Sequence, residues 1–349
     1  MRARPTAASA QLALSDRVRR AQGEALEAFG FGPCECEHDI VASGPGWRLR
    51  AYGDGSGRPI LIVPAPIKRA YVWDLAPAVS VVRRLLEHPL GVHLLEWTPS
   101  ASGAEQGDLD THVQAIGDCL ARIAQARGGD APVLIGHSLG GTLAAVFAAC
   151  EPVGLGGLVL LGSPLCFGER VSAFRDALVS MTRAPAAEAT PVPGSMLTLA
   201  SVLASPQTFV WSRLADLFAS LADPQALAVH IRVARWALDE APLSGRLVGQ
   251  ILGWLYREDR FYRGTLPVQG RVVGPGDLKT PTLAVVDAAD EIAPLAAVKP
   301  FLDAAPAASR LIDHLGETGV GLQHLALLVG RQAHSVVWPE IIAWIDARR

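Results

Sequence analysis

A chain of 349 residues, half of them hydrophobic, is long enough for one large α/β domain with an insertion or for two smaller domains. Its net charge of −3 and the lack of a basic stripe argue against a nucleic-acid-binding surface. The N-terminal arginines precede no continuous apolar segment, and no apolar run reaches membrane-spanning length, so we expect neither a secretory signal nor a transmembrane segment.

Cysteine usage indicates the compartment. The spacings of the five cysteines match no zinc or thioredoxin-type motif, and their odd number indicates no disulfide framework. Reduced thiols are typical of cytoplasmic proteins, so the expected location is cytoplasmic. The five residues are Cys34, Cys36, Cys119, Cys150 and Cys166.

The first half of the chain alternates between strand and helix patterns. Residues 1–45 are predicted to form an N-terminal helical extension, with a helix at 11–29 that ends in a segment rich in Gly and Pro. Short apolar runs then predict strands, and amphipathic runs predict helices. This alternation is typical of a mainly parallel sheet with helices on both faces. The predicted strands are 47–52, 59–64, 92–97, 132–135 and 157–162, and the predicted helices are 80–86 and 109–126.

Residues 165–265 break this alternation. They contain three long helical patterns and little that is typical of a strand, whereas strands at 281–286 and 309–313 and a last helix at 338–347 follow. A helical insert between two strands of one sheet is typical of a cap over the carboxyl ends of the strands. We therefore predict a core formed by 46–164 and 266–349, and we call 165–265 the cap.

The segment Gly136-His137-Ser138-Leu139-Gly140 is the strongest sign of chemistry. An apolar strand pattern precedes it, and a run of small and apolar helix formers follows it. This order of strand, sharp turn and helix is typical of a nucleophile elbow, in which glycines let the strand and helix approach closely. The first N–H groups of the helix favour a developing oxyanion. Ser138 is therefore the predicted nucleophile, and the Leu139 amide is a predicted oxyanion-hole donor.

An activated serine needs a histidine base and a carboxylate that orients it. In this type of fold the carboxylate follows the strand after the cap. Asp290, where the chain turns away from the sheet before an apolar-x-Pro sequence, is the preferred acid. Asp287 is the second candidate and Glu291 is the third.

The base is expected on the loop after the last strand. His324 lies there, directly before an apolar helix, and is the preferred base. His314, at the end of the strand, is the alternative, whereas His334 lies too late in the chain. His137, inside the elbow, is predicted either to pack in the core or to support the site residues.

These segments, together with the cap, resemble polyhydroxyalkanoate synthases and their α/β-hydrolase relatives. The similarity extends over residues 45–345 and is most specific in the cap, where Trp236-x-x-Asp239-x-x-Pro242-x-x-Gly245 matches a motif of the family. It also includes Tyr256 to Phe261, with Asp259 where the family has Asn, and the segments that begin at Asp290 and His324. The resemblance implies an α/β-hydrolase fold and acyl-transfer chemistry.

Three departures from the family pattern are visible. Ser138 stands where the synthases have a nucleophilic cysteine, and Gln323-His324-Leu325-Ala326 replaces Gly-His-x-Gly. Pro66 lies about where the oxyanion-loop residue of the family would donate its N–H, which proline lacks. The amide of Ile67 or Ala65 would have to serve beside that of Leu139, and Ile67 is the preferred residue.

The serine changes the expected reaction. A cysteine thioester resists water and suits chain transfer, whereas a serine acyl-enzyme is an oxygen ester that hydrolyses readily when water enters. The sequence therefore favours a hydrolase of (hydroxy)acyl esters or thioesters related to polyhydroxyalkanoate metabolism. The alternatives are a synthase-type acyltransferase that uses hydroxyacyl-CoA and a catalytically weak granule-associated or partner subunit.

No metal or organic cofactor is implied by these motifs. The expected partner is a small or polymeric acyl ester or thioester. A second copy of the chain and a hydrophobic granule surface are further candidates, because the composition is unusually apolar.

Overall fold

A computed structural model describes residues 7–98, 107–126, 130–151, 154–182 and 191–348. The strands are β1 (His38–Gly44), β2 (Trp47–Tyr52), β3 (Arg58–Val63), β4 (Leu90–Trp97), β5 (Val133–His137), β6 (Gly157–Leu161), β7 (Leu266–Val268), β8 (Arg271–Val273), β9 (Thr282–Asp287) and β10 (Ser309–His314). The helices are α1 (Ala7–Leu26), α2 (Val81–Leu86), α3 (Leu109–Ala126), α4 (Leu139–Cys150), α5 (Ala173–Met181), α6 (Gly194–Ala204), α7 (Ser212–Ser220), α8 (Pro224–Ala237), α9 (Gly245–Gln250), α10 (Lys299–Ala304), α11 (Ala326–Val329) and α12 (Trp338–Asp346).

Eight strands form one sheet in the order β1-β2-β4-β3-β5-β6-β9-β10. The six strands from β4 to β10 in this order are parallel, and β1 and β2 are antiparallel additions at one edge. Every residue of β3, β5, β6 and β9 is buried, because apolar layers cover both faces. One layer includes α3, α4 and α10, and the other includes α2, α11 and α12. The predicted mainly parallel sheet with helices on both faces is confirmed.

The sheet begins earlier in the chain than predicted. Strand β1 starts at His38 and pairs with β2, so the core extends into the predicted extension 1–45 and does not begin at 46. A register shift between Ile40 and Ala42 interrupts the alternation of side chains. Ile40 and Val41 are 46% and 53% exposed on this edge strand, so the apolar pattern that reveals buried strands is absent.

Helix α1 packs against the cap. The Asp16 carboxylate accepts a hydrogen bond from the Ser195 backbone N–H at 2.9 Å, at the start of α6. Arg19 donates to the Ala237 carbonyl at the end of α8 and pairs with Glu240 at 3.2 Å. The N-terminal helix therefore holds two segments of the cap together.

The helical segment between β6 and β9 contains α5 to α9 and then the hairpin of β7 and β8. The three predicted helical patterns contain α7, α8 and α9, whereas α5 and α6 were not predicted. The two short strands pair antiparallel with each other and form a separate sheet. Leu266, Val268 and Val273 of this hairpin belong to the apolar layer that contains α3 and α4. The hairpin was not predicted, because three-residue strands are too short to show a period. Within the described ranges, we find no helix with the length and apolar character needed to span a bilayer.

Candidate active site

Ser138 lies in the turn between β5 and α4, with φ of 55° and ψ of −133°. This conformation is strained for a residue with a side chain, at a cost of about 1–3 kcal/mol. The glycines on either side of Ser138 have no room for a side chain. A Cβ on Gly136 would lie 2.4 Å from the Gly141 Cα, and one on Gly140 would lie 2.2 Å from the Val63 carbonyl oxygen. The sequence therefore forms the predicted elbow, with Ser138 at the carboxyl edge of the sheet.

The two predicted oxyanion-hole residues lie on the same cavity as Ser138. Leu139 is the first residue of α4, so its N–H has no intrahelical acceptor. Ile67 lies on the loop after β3 and also lines this cavity, as does Ala65. The Trp97 indole donates to the Pro64 carbonyl at 2.8 Å and holds the start of this loop. The structure thus brings together the three residues that the elbow and loop patterns singled out.

His324 and Asp290 form a buried pair. The Nδ1 of His324 lies 2.7 Å from Oδ2 of Asp290, and Oδ1 of Asp290 accepts from the backbone N–H groups of Ile292 and Ala293 at 2.8 and 3.2 Å. Burial alone would raise the pKa of the Asp290 carboxyl, but the His324 imidazole and the two N–H groups together hold that pKa below its ordinary value. Asp290 is therefore an ionised acceptor for His324.

The second ring nitrogen of His324 is available for chemistry. Its Nε2 is buried and has no hydrogen-bond partner among the described residues. His324 and Ser138 line the same cavity. With Nδ1 committed to Asp290 as a donor, the neutral imidazole presents Nε2 as an acceptor, which is the form a general base requires.

His137, in the elbow, contacts His324, the candidate base. Its Nε2 lies 2.7 Å from the backbone carbonyl oxygen of His324, and the centroids of the two rings are 4.6 Å apart. Burial lowers the pKa of His137 to about 3, so the ring stays neutral and donates through Nε2. His137 was predicted to pack in the core or to support the site residues, and the structure shows a direct hydrogen bond to the backbone of the candidate base.

The alternative acid and base lie together, away from the cavity. Asp287 and His314 occupy paired positions at the ends of β9 and β10, and Asp287 Oδ2 is 3.8 Å from His314 Nε2. The other Asp287 oxygen accepts from the Ala289 N–H at 2.7 Å. Neither Asp287 nor His314 is among the described residues that line the cavity of Ser138. Burial raises the pKa of the Asp287 carboxyl.

Glu291, the third candidate acid, has a different role. Its Oε2 accepts hydrogen bonds from the hydroxyl groups of Ser205 and Thr208, at the end of α6 and just after it. Glu291 therefore ties the acid-bearing loop to the cap. Of the three carboxylates, Asp290 is the one that contacts His324.

Two buried histidines predict the pH dependence of stability. Burial lowers the pKa of His137 to about 3 and that of His334 to about 4, from an ordinary value of 6.5. As the pH falls, the two histidines therefore become protonated in the unfolded chain while they are still neutral in the folded chain. The stability that these two histidines contribute is complete above pH 6.5 and is lost as the pH falls toward 4.

For His334 alone, the loss at pH 4 is about 3 kcal/mol, at about 1.4 kcal/mol per unit of pKa separation. Urea unfolding between pH 7 and pH 4 measures this slope. The variant His334→Gln, whose amide can still donate to the Leu328 carbonyl that His334 contacts at 2.8 Å, should be less sensitive to acid. Equal slopes for the two proteins would contradict the assignment.

The cavity above Ser138 has a volume of about 290 Å³ and lies between the core and the cap. Its lining is predominantly apolar, as expected of a pocket for an acyl chain. Helices α7 to α9 of the cap were predicted, but the inward faces of the cap helices were not, because these helices also carry large apolar residues on the exposed face. Cap residues that line the cavity include Phe174, Leu178, Met196, Phe209, Trp236, Val248, Ile251 and Tyr256.

A protein-family model described as the alpha/beta hydrolase family matches residues 53–329. The chain belongs to the alpha/beta hydrolase family. The poly(3-hydroxyalkanoate) polymerase subunit PhaC of Haloferax mediterranei is 28% identical over 300 residues, which cover 83% of this α/β-hydrolase but only 59% of that subunit. The PhaC subunit of Allochromatium vinosum is 24% identical over 299 residues, covering 83% of this chain and 81% of that subunit. The predicted resemblance to polyhydroxyalkanoate synthases is therefore confirmed.

Solved structures agree on the fold. The esterase RhEst1 from Rhodococcus sp. superposes with a TM-score of 0.53 at 15% identity, covering 90% of this chain and 99% of that esterase. Identity this low supports the fold and nothing finer. This α/β-hydrolase spans about three fifths of the length of the Haloferax relative.

In this α/β-hydrolase, the cap segment that resembles the synthase motif contacts the loop after β3. The Trp236 indole donates to the Arg69 carbonyl at 2.8 Å, and the Lys68 ammonium donates to the Ala237 carbonyl at 2.6 Å. Asp239 pairs with Arg69 at 3.4 Å. The motif therefore fixes the loop that carries Ile67, a role that the motif's spacing alone did not reveal.

Asp259, which stands where the synthase family has Asn, accepts a hydrogen bond that connects two parts of the cap. Its carboxylate accepts from the Phe167 backbone N–H at 2.8 Å, near the start of the cap. An asparagine side-chain oxygen makes the same contact, so the substitution leaves this connection between the two ends of the cap intact.

Proposed function

We propose that this α/β-hydrolase is a serine-nucleophile acyl-transfer enzyme, and that it hydrolyses (hydroxy)acyl esters or thioesters. Ser138 is the nucleophile, His324 the base and Asp290 the residue that orients it. The amides of Leu139 and Ile67 hold the oxyanion. The observation that carries the proposal is the 2.7 Å contact of His324 with Asp290, which leaves Nε2 unpartnered among the described residues of the cavity that Ser138 lines.

The proposed reaction has two halves. The Ser138 oxygen bonds to the acyl carbon while its proton passes to Nε2 of His324, and the bond to the leaving alcohol or thiol breaks as that group takes the proton. Water then gives a proton to His324 as its oxygen bonds to the acyl carbon. The ester bond to Ser138 breaks, the serine oxygen takes the proton back from His324, and the free acid is released. Asp290 stays ionised and stabilises the imidazolium form in each half.

No cysteine is placed to replace the serine. None of the five cysteines is among the described residues that line the cavity. Burial raises the pKa of Cys150 to about 11 and that of Cys166 to about 12, so these thiols stay protonated. This supports an oxygen-ester intermediate, which favours hydrolysis over the thioester-based transfer of the synthases. The unpaired cysteines also support our proposal that the protein is cytoplasmic.

A second candidate is synthase-type transfer from hydroxyacyl-CoA. It is favoured by the relatives, whose names identify them as poly(3-hydroxyalkanoate) polymerase subunits. The sequence has no clear basic cluster for the phosphates of CoA, which argues against it, although Lys68 and Arg69 line the cavity.

A third candidate is a weakly catalytic subunit at a hydrophobic granule or on a second copy of this chain. It is favoured by exposed apolar residues on and beside α6 and α7. Leu203, Trp211 and Phe218 are 57%, 61% and 69% exposed.

The product distinguishes these candidates. The protein is incubated with a hydroxyacyl-CoA and with a chromogenic acyl ester, and free thiol, free acid, polymer and the mass of the intact protein are measured. We expect free acid in amounts equal to the released CoA, and a transient acyl group on Ser138. Polymer in place of free acid would support the synthase reaction. Failure of both substrates and of a fluorophosphonate to modify Ser138 would refute the proposed enzyme.

A further inference from the structure

A further buried acid–histidine pair lies in the cap. Asp216 on α7 and His230 on α8 are 8% and 6% exposed, and Oδ2 of Asp216 lies 2.7 Å from Nδ1 of His230. Neither residue is among the described residues lining the cavity of Ser138, so the pair does not contact a substrate there. A buried carboxylate needs full hydrogen bonding, and its other partners show what this one does.

The other partners of Asp216 belong to the loop that leads to His324. Oδ1 accepts from the Gly319 N–H at 2.7 Å, and Oδ2 accepts from the Gly321 N–H at 2.8 Å. Burial would raise the pKa of the Asp216 carboxyl, but His230 and these two N–H groups hold it below its ordinary value. The Asp216 carboxylate is thus ionised and binds the backbone N–H groups of Gly319 and Gly321. We call this set of contacts the clamp.

The clamped loop has little freedom to move. Gly319 and Gly321 have φ of +87° and +69°, which side-chain-bearing residues rarely adopt. Both glycines press on α8. A Cβ on Gly319 would lie 2.7 Å from the Ala226 Cβ, and one on Gly321 would lie 2.9 Å from the Val233 Cγ1.

The clamp is directly connected to the candidate base. Leu322, next to Gly321, begins a short turn through His324 in which the Leu325 N–H donates to the Leu322 carbonyl at 2.8 Å. The core holds His324 through Asp290 and through the carbonyl contact with His137. The cap holds the preceding residues through Asp216.

We propose that Asp216, oriented by His230, is a positioning residue. Through Asp216 the cap holds the loop of Gly319 and Gly321, and this loop in turn places His324. The inference rests on the proposed function, because it assigns the consequence of the clamp to the base of that reaction. A displacement of this loop moves His324 relative to Ser138, and a misplacement of about 1 Å can reduce turnover by about a hundredfold.

Asp216→Asn is the test variant. The asparagine oxygen can accept from one loop N–H, but its NH₂ group faces the other N–H and cannot accept from it. We expect kcat per active site, titrated with a fluorophosphonate, to fall by about 10- to 100-fold, with KM nearly unchanged because the cavity lining is intact. The proton NMR signal of His324 Nδ1–H, assigned through its loss in His324→Gln, should shift or broaden.

Ser220→Ala is the matched control. Ser220 is buried on the same helix and donates to the backbone carbonyl of Asp216 at 2.6 Å, whereas the loop N–H groups donate to the Asp216 side chain. It should retain wild-type kcat and the wild-type signal. If Asp216→Asn does not fold, His230→Ala carries the test. That variant leaves both loop hydrogen bonds and should give a smaller loss of kcat.

The inference is overturned if Asp216→Asn, or His230→Ala in its place, lowers only the melting temperature and leaves kcat per titrated site and the His324 signal unchanged. Failure of the proposed function gives a different result. In that case the wild-type protein itself fails to react with the fluorophosphonate, whereas the His324 signal still reports whether the clamp positions the imidazole.

Discussion

Ser138→Ala is expected to lower kcat/KM for acyl-ester hydrolysis by about 10⁴- to 10⁶-fold, the range seen when the nucleophile of a triad is removed. Alanine at this position cannot form the acyl-enzyme, and only binding and the oxyanion hole remain. The elbow itself should persist, because its close contacts are made by Gly136 and Gly140 and not by the serine side chain. Initial rates with a chromogenic acyl ester, and intact-protein mass after the reaction, provide the measurement.

The matched control is Ser163→Ala. Ser163 is buried just after β6, and its hydroxyl lies 3.1 Å from the Leu161 carbonyl oxygen and 3.4 Å from that of Gly136, so the substitution removes a hydroxyl of the same chemistry beside the elbow. Loss of one such hydrogen bond changes stability by about 1 kcal/mol and should leave the rate within a few-fold of wild type. Comparable rates for wild type and Ser138→Ala would show that another group reacts with the ester.

Asp290→Asn is expected to lower kcat by about 10³- to 10⁴-fold while the protein stays folded, as is known for this exchange in serine protease triads. The asparagine oxygen can still accept from Ile292 and Ala293. Its NH₂ group would then face Nδ1 of His324, which favours the tautomer with the proton on Nε2. That tautomer has no lone pair at Nε2 with which to accept the proton of Ser138.

Asp287→Asn tests which of the two candidate acids acts on His324. Asp287 is as deeply buried as Asp290 and lies three residues earlier, but it faces His314 and not His324. We expect its rate to stay within a few-fold of wild type. Steady-state kinetics of the two variants with one ester, compared with their thermal unfolding, decide the assignment. A larger loss in Asp287→Asn than in Asp290→Asn would reverse the roles of the two carboxylates.

The sheet and the elbow could be predicted because their signals are local. Strands buried on both faces appear as continuous apolar runs, and the elbow needs glycine at fixed positions around Ser138. Strand β1 could not be predicted, because its exposed residues and its register shift remove the alternation.

The candidate site could be predicted only in part. Chain order favoured Asp290 and His324, and the structure pairs them, but their catalytic roles stay predictions. The sequence could not reveal that His314 ends β10 opposite Asp287, since register between strands is a property of the sheet. Nor could it reveal the contact of Asp216 with Gly319 and Gly321, because no local pattern links residues so far apart in the chain.

Strands β6 and β9 are neighbours in the sheet, and the Gly162 N–H donates to the Val285 carbonyl at 2.9 Å where the chain departs. The whole helical segment thus connects two points of the chain that are neighbours in the sheet. Doubling the length of such a connection costs only about 0.6 kcal/mol more in closure entropy. Helices of this segment can therefore be gained, lost or reshaped over evolutionary time while the register of the sheet stays the same. In such a lineage, the lining of the cavity can diverge as long as the contacts of Asp216 with Gly319 and Gly321 are retained.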